Sequence, residues 1–167
     1  MAKNTFNAET GEALLVATFQ LGSDESIFGI GATLIQEVVM VGELTPVRHA
    51  PDHVAGIRNL RGRIITVIDL CVRLGLGSVD IGSDNRILIA DWKGEPVGLL
   101  VDRVADAVEV ARDALDPTPP NVNGVQMQNL LGVFRSGKRL AALLDLAAVL
   151  SAADQTGKPT PNEERRG

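Results

Sequence analysis

The chain has 167 residues, a formal net charge of −5 and 45% hydrophobic residues, enough to bury a core in one domain or in two very small ones. With 3% aromatic residues, no Tyr, one Trp and a pI near 5.0, it lacks both the stacking platforms and the surplus of cations on which nucleic-acid affinity depends. The single cysteine, Cys71, excludes an intrachain disulfide and reads as a small apolar filler.

Met1 to Glu12 is polar and acidic, without the apolar core of a signal peptide. The most apolar run, Ala141 to Leu150, contains Asp145 and falls short of the roughly 18 residues of a membrane span. A cytoplasmic protein is expected, with proteins or small molecules as its partners. Residues 1–11 are expected to be disordered. Leu14 to Leu21 alternates as a half-buried strand, Gly22-Ser23-Asp24-Glu25 is a turn, and Ile27 to Ile30 is the returning strand. Gly31 to Leu34 reads as one helical turn leading into Ile35-Gln36-Glu37-Val38-Val39, with its apolar residues inward and Glu37 at an edge. Pro46 and Pro51 break the next stretch, and Asp52 to Ala55 makes a turn.

Gly56-Ile57-Arg58-Asn59-Leu60 then enters a tight hairpin at Arg61-Gly62-Arg63, where Gly62 supplies the positive φ that the bend requires. The β-branched run Ile64 to Ile68 predicts a strand buried on both faces, with two guanidinium groups at its mouth. Asp69 is placed to cap a short helix over Leu70 to Leu74.

The turn-rich stretch over residues 75–85 marks the candidate seam between two units. Beyond it, Arg86 to Trp92, Val97 to Val101 and Ala105 to Val110 read as strands, and Asp116 to Pro120 as an extended loop. Val122 to Asn129 has no clear period. Leu130 to Arg135 and Arg139 to Leu144 form a last hairpin, and Asp145 caps a helix that puts Leu146, Val149 and Leu150 on one face. Residues 154–167 are expected to form a flexible tail. A loose internal repeat relates Gly29 to Gly98 at an offset of 69, and Gly56 to Gly132 and Asp69-Leu70 to Asp145-Leu146 at an offset of 76. It favours two similar small β units over one sandwich.

Catalytic patterns fail on inspection. Gly132 to Lys138 fits the spacing of a phosphate loop, but Arg139 stands where Ser or Thr should ligate magnesium and opens a strand rather than a helix. A small phosphate-binding enzyme built on Gly132 to Arg139 is therefore the weaker reading. Gly29-Ile30-Gly31 has Leu34 where a dinucleotide fingerprint wants a third glycine. His49 and His53 are separated by Pro51, which disfavours the helix that would align them on a metal. Asp102 and Asp106 read as edge or loop residues around a strand. No cofactor is expected.

Gly56 to Leu70, with its Asn59-Leu60-Arg61-Gly62 core, four apolar-rich positions and Asp69-Leu70, together with Val97-Gly98-Leu99-Leu100-Val101-Asp102-Arg103-Val104, closely resembles the CheW family of bacterial chemotaxis coupling proteins. The resemblance spans residues 12–153; family members commonly have Pro where Thr66 stands. It implies a mainly β fold of two five-stranded barrels of Src-homology-3-like type, with short helices and a C-terminal helix. It also implies an adaptor that is not an enzyme, coupling methyl-accepting chemoreceptors to the histidine kinase CheA by binding the kinase's regulatory domain and the receptor's cytoplasmic tip. The motifs carry over Ile35, Glu37, Gly56, Asn59, Leu60, Arg61 and Gly98 as contacts or supports for these partners, with core and turn structure as the plain alternative for each. They also put Glu37 within reach of an ion pair with Arg61. The chain is too short for the kinase's histidine and ATP-binding domains, so a stand-alone coupler recruited to membrane-associated arrays is expected. Its output is flagellar swimming or, alternatively, surface motility or another response.

Overall fold

The computed structural model describes residues 13–157, so the expectations for residues 1–11 and for the tail beyond 157 lie outside the described residues. The strands, in chain order, are β1 (Leu14–Leu21), β2 (Ser26–Gly31), β3 (Ile35–Met40), β4 (Val54–Leu60), β5 (Arg63–Asp69), β6 (Arg86–Trp92), β7 (Glu95–Val101), β8 (Arg103–Val110), β9 (Asn121–Val122), β10 (Val125–Gln126), β11 (Leu130–Ser136) and β12 (Arg139–Leu144). Helix α1 (Leu70–Arg73) follows β5, and α2 (Leu146–Gly157) follows β12 and extends into the stretch read from the sequence as tail. The expected helical turn before β3 is a 3-10 turn at Ala32–Leu34.

Ten of these strands form two five-stranded sheets, ordered β11-β12-β2-β1-β8 and β3-β6-β7-β5-β4, and β9 and β10 form a two-stranded ribbon. The mainly β, two-unit expectation holds. The position of the seam does not, because residues 75–85 join α1 to β6 and both flanking strands, β5 and β6, belong to the second sheet. The chain leaves the first sheet after β2, builds the whole second sheet, and returns with β8. Turn-forming residues mark a reversal of the chain; they carry no information about which sheet the next strand joins.

The repeat is architectural. In the second sheet the β4–β5 hairpin lies beside β7, parallel to β5; in the first, the β11–β12 hairpin lies beside β2, parallel to β12. Val67 is opposite both Gly56 and Gly98, and Leu143 is opposite both Gly132 and Gly29. The Asp69 N–H donates to the His53 carbonyl at 2.8 Å and the Asp145 N–H to the Asn129 carbonyl at 2.9 Å. Each aspartate then caps its helix: Asp69 accepts from the Val72 N–H at 3.2 Å, and Asp145 from the Ala148 N–H at 3.1 Å.

Alternation along these strands builds two cores. Val16, Val110, Phe134, Ala141 and Leu143 cluster on one side of the first sheet. Phe28, Ile30, Ala142 and Leu144 point the other way and join the second sheet's Ile65, Val67, Ile87, Leu99 and Leu100 in one continuous cluster. Phe19 and Phe28 face each other across β1 and β2 with their rings stacked at 6.4 Å between centroids.

Two burial expectations need correction. β5 is not buried on both faces: Ile65 and Val67 point inward, whereas Ile64 is 61% exposed and Thr66 is exposed. Its pairing with β7 begins only at Thr66, so the first half of the strand projects beyond its neighbour on that side. On β3, an edge strand, Ile35, Glu37 and Val39 share the inner face while Val38 and Met40 stand on the outer one, so Val38 is not inward. Asp52 and His53 form the expected turn, but Val54 and Ala55 already belong to β4.

Asp69 has more to hold than Asp145. Its second carboxylate oxygen accepts the Val79 N–H at 3.0 Å, and the residue is buried. Asp69→Ala leaves two backbone donors without an acceptor and should cost about 2–4 kcal/mol, against about 1 kcal/mol for Asp145→Ala. Urea denaturation of the two variants measures the difference. Equal losses would contradict the additional role of Asp69.

Candidate functional site

The β4–β5 hairpin turns in two residues, with Arg61 at φ 51° and Gly62 at φ 85° and Leu60 paired to Arg63. This is the mirror-image turn that matches strand twist. Asn59 secures it by accepting the Gly62 N–H on Oδ1 at 2.9 Å, so its carboxamide is committed to the turn. The left-handed conformation of Arg61 was not legible from the sequence, which assigns the positive φ to Gly62 alone.

From this tip, the Arg61 guanidinium reaches across to the Glu37 carboxylate on β3 and forms an ion pair. β3 and β4 are the two edges of the second sheet, so the pair joins one edge strand to the hairpin that carries the other. Arg61 keeps 68% of its side-chain surface exposed and Glu37 keeps 35%. The pair is held from one side and open to a partner on the other.

Beside it lies a small pocket of about 160 Å³, lined by Glu37, Leu60, Arg61, Arg63, Ile65 and Pro96 among others. Its floor is apolar and its rim charged. Of the seven residues carried over from the sequence, Glu37, Leu60 and Arg61 line it, Asn59 holds the turn beside it, and Ile35 lies two positions along the same face of β3, half-buried against the core. Gly56 and Gly98 do not line this pocket. Gly56 is buried at φ 153°, and a Cβ there would stand 2.7 Å from the Thr45 carbonyl oxygen; at Gly98 a Cβ would meet Ile87 Cγ2 at 2.8 Å inside the sheet. At both positions the packing leaves no room for a side chain, which favours a supporting role. Arg63 stands exposed at the mouth of the hairpin as expected, whereas Pro96 and the exposed Ile64 were missed as surface residues. Strict alternation about Thr66 was the signal that would have placed Ile64 outside.

The other sequence candidates fall elsewhere. Gly132 to Arg139 is the β11–β12 hairpin, with Gly137 and Lys138 at its tip and no helix following the turn. His49 is an exposed turn residue at φ 62°. The His53 pKa is lowered by burial first and by the Arg73 charge second, against a smaller raising effect of Asp52. Cys71 is buried and its thiol donates to Asp102 Oδ2 at 3.3 Å. Burial first, and then that hydrogen bond, push its pKa up to about 12, so it is a protonated filler rather than a nucleophile. The same Asp102 oxygen accepts the Gly22 N–H at 2.9 Å, which ties the β1–β2 turn to α1.

The support role of Gly98 is testable. Gly98→Ala forces its neighbours Ile87 and Val67 to move and should lower stability by about 1–3 kcal/mol, measured by chemical denaturation. A variant with full stability and impaired partner binding would instead make Gly98 a contact.

A model of the CheW-like domain matches residues 15–154. The chain is 31% identical over 144 residues to the probable chemotaxis protein CheW of Rhizobium etli, covering 86% of this chain and 91% of that protein. It is 30% identical over 151 residues to the chemotaxis protein CheW of Treponema pallidum, covering 88% of each. Among solved structures, the crystal structure of the scaffolding protein TtCheW from Thermoanaerobacter tengcongensis superposes with a TM-score of 0.72 at 28% identity, covering 82% of this chain and 87% of that one. With its two five-stranded sheets, its hairpin tip pinned to Glu37 and the family match over nearly all described residues, the chain belongs to the CheW-like family of chemotaxis coupling and scaffolding proteins.

Proposed function

We propose that this protein is the coupling adaptor of a chemosensory array, binding the regulatory domain of the histidine kinase CheA and the cytoplasmic tip of a methyl-accepting chemoreceptor. The observation that carries this reading is the Arg61–Glu37 pair at the hairpin tip, half-exposed beside an apolar-floored pocket and next to the exposed Ile64. Such a surface offers a guanidinium for recognition and, in the pocket floor and Ile64, apolar area for burial, and it offers no group poised for chemistry. No helix among the described residues is long and apolar enough to cross a membrane, so membrane association in this reading comes through the receptor. The protein works in the cytoplasm, on arrays held at the membrane.

An exposed ion pair contributes only ~0–1 kcal/mol, so the Arg61–Glu37 pair adds little to folding. Its value is positional: Glu37 fixes the guanidinium in one geometry, and a fixed fork recognises a partner at lower entropic cost than a free side chain. Small single interfaces of this kind bind modestly and gain strength through repetition in an array.

Arg61→Glu should therefore leave the thermal midpoint within a few degrees of wild type and abolish receptor-dependent kinase activation in a reconstituted array. Adding Glu37→Arg restores the pair with its polarity reversed. Recovered activation means that the bridge itself matters, and continued loss with a native fold means that Arg61 touches the partner. Full activation by Arg61→Glu alone, or a large loss of stability, would refute the positional role. The adaptor reading itself fails if calorimetry with the wild-type chain detects binding to neither partner.

A further inference from the structure

Between the two aspartate-capped helices lies a polar groove of about 690 Å³ that shares no lining residue with the pocket at Arg61. Arg73 and Leu74 at the end of α1 form one wall, Gly124 and Gln126 of the β9–β10 ribbon with Gln128 and Asn129 form another, and Ala148 of α2 contributes to the lining. Among the described residues, Arg73 is the one charged residue in that lining. Its Nε donates to the Val149 carbonyl at 3.1 Å, which fixes the plane of the guanidinium.

Arg73 has no carboxylate partner among the described residues, in contrast to Arg61 with Glu37 and Arg103 with Asp84. Burial lowers its pKa. A half-buried guanidinium is costly unless something negative completes it. The walls are also fixed in place. The Asn129 carbonyl accepts the Asp145 N–H, and a Cβ on Gly124 would stand 2.8 Å from Leu76 Cδ2, so the ribbon sits directly on the chain leaving α1.

We propose that this groove binds a small hydrophilic anion bearing a carboxylate or phosphate group, with Arg73 as its charge partner and the amides of Gln126, Gln128 and Asn129 as further donors. The guanidinium fork matches both oxyanions, and the amide lining suits a polar ligand rather than an apolar helix. The bound anion bridges α1, which follows the second sheet, and the segment leading into α2, which follows the first. The site is independent of the Arg61 surface.

The test is a nuclear magnetic resonance titration of the full chain with inorganic phosphate and, separately, citrate, at constant ionic strength. Saturable shifts of the Arg73 Nε–H and of the Gln126 and Asn129 amides are expected, and the probe that binds more tightly identifies the preferred group. Arg73→Gln should weaken binding about tenfold or more. Because that change also removes the bond to Val149, Gln128→Glu at an exposed position provides the second variant. It places a competing carboxylate in the groove and should weaken binding about tenfold without altering the thermal midpoint. Shifts that grow linearly without saturation for both probes, or affinities unchanged in both variants, would overturn the proposal.

Discussion

The fold depends on two parallel strand pairings, β5 with β7 and β12 with β2, each made at a glycine. Parallel neighbours cannot be joined by a tight turn, so each pairing commits the chain to a long excursion before it returns. In the second sheet the excursion is α1 and β6. In the first it is almost the entire protein, since β12 comes back to lie on β2. At Gly98 and Gly29 a side chain would strike Ile87 and Val16 respectively, so the absence of Cβ lets the central strands approach and lets the remaining residues pack on both faces. The two sheets therefore share one continuous core, and the N-terminal strands are held by the C-terminal hairpin.

That arrangement sets the geometry of the proposed interaction surface. The β4–β5 hairpin projects past the start of the β7 pairing, which leaves Arg63 and Ile64 exposed while Ile65 and Val67 anchor the strand behind them. Anchoring and projection together give a stiff tip. The Asn59 side chain closes the turn, both turn residues adopt left-handed conformations, and Glu37 on the opposite edge strand holds Arg61. In the second sheet an ion pair thus connects strands that do not hydrogen-bond to one another.

Much of this was legible in the sequence because it rests on local rules. Gly62 marked the hairpin, Asp69 and Asp145 marked the helix starts, and the paired glycines and aspartates exposed the internal repeat. The Arg61–Glu37 contact was reached through family resemblance, since no local pattern couples residues so far apart in sequence. What the residues did not reveal was the course of the chain between the sheets. Residues 75–85 look like a boundary because they are rich in turn formers, yet a turn is blind to which sheet follows. Burial was misjudged at Ile64 and Val38 for a related reason: a β-branched side chain favours a strand whether it faces the core or the solvent. The groove at Arg73 left no signal, because a lone arginine on a short helix becomes notable only once its lack of a counter-ion is visible in three dimensions.

The proposal that the hairpin tip and its Glu37 brace form a partner-binding surface is tested most directly by amide hydrogen exchange of the full chain with and without the CheA regulatory domain and a receptor cytoplasmic tip. The account predicts that slowed exchange on binding concentrates at residues 35–38 and 58–64, with the β11–β12 tip at 136–139 unaffected. Protection confined to the β11–β12 tip, with none at the β4–β5 hairpin, would contradict it.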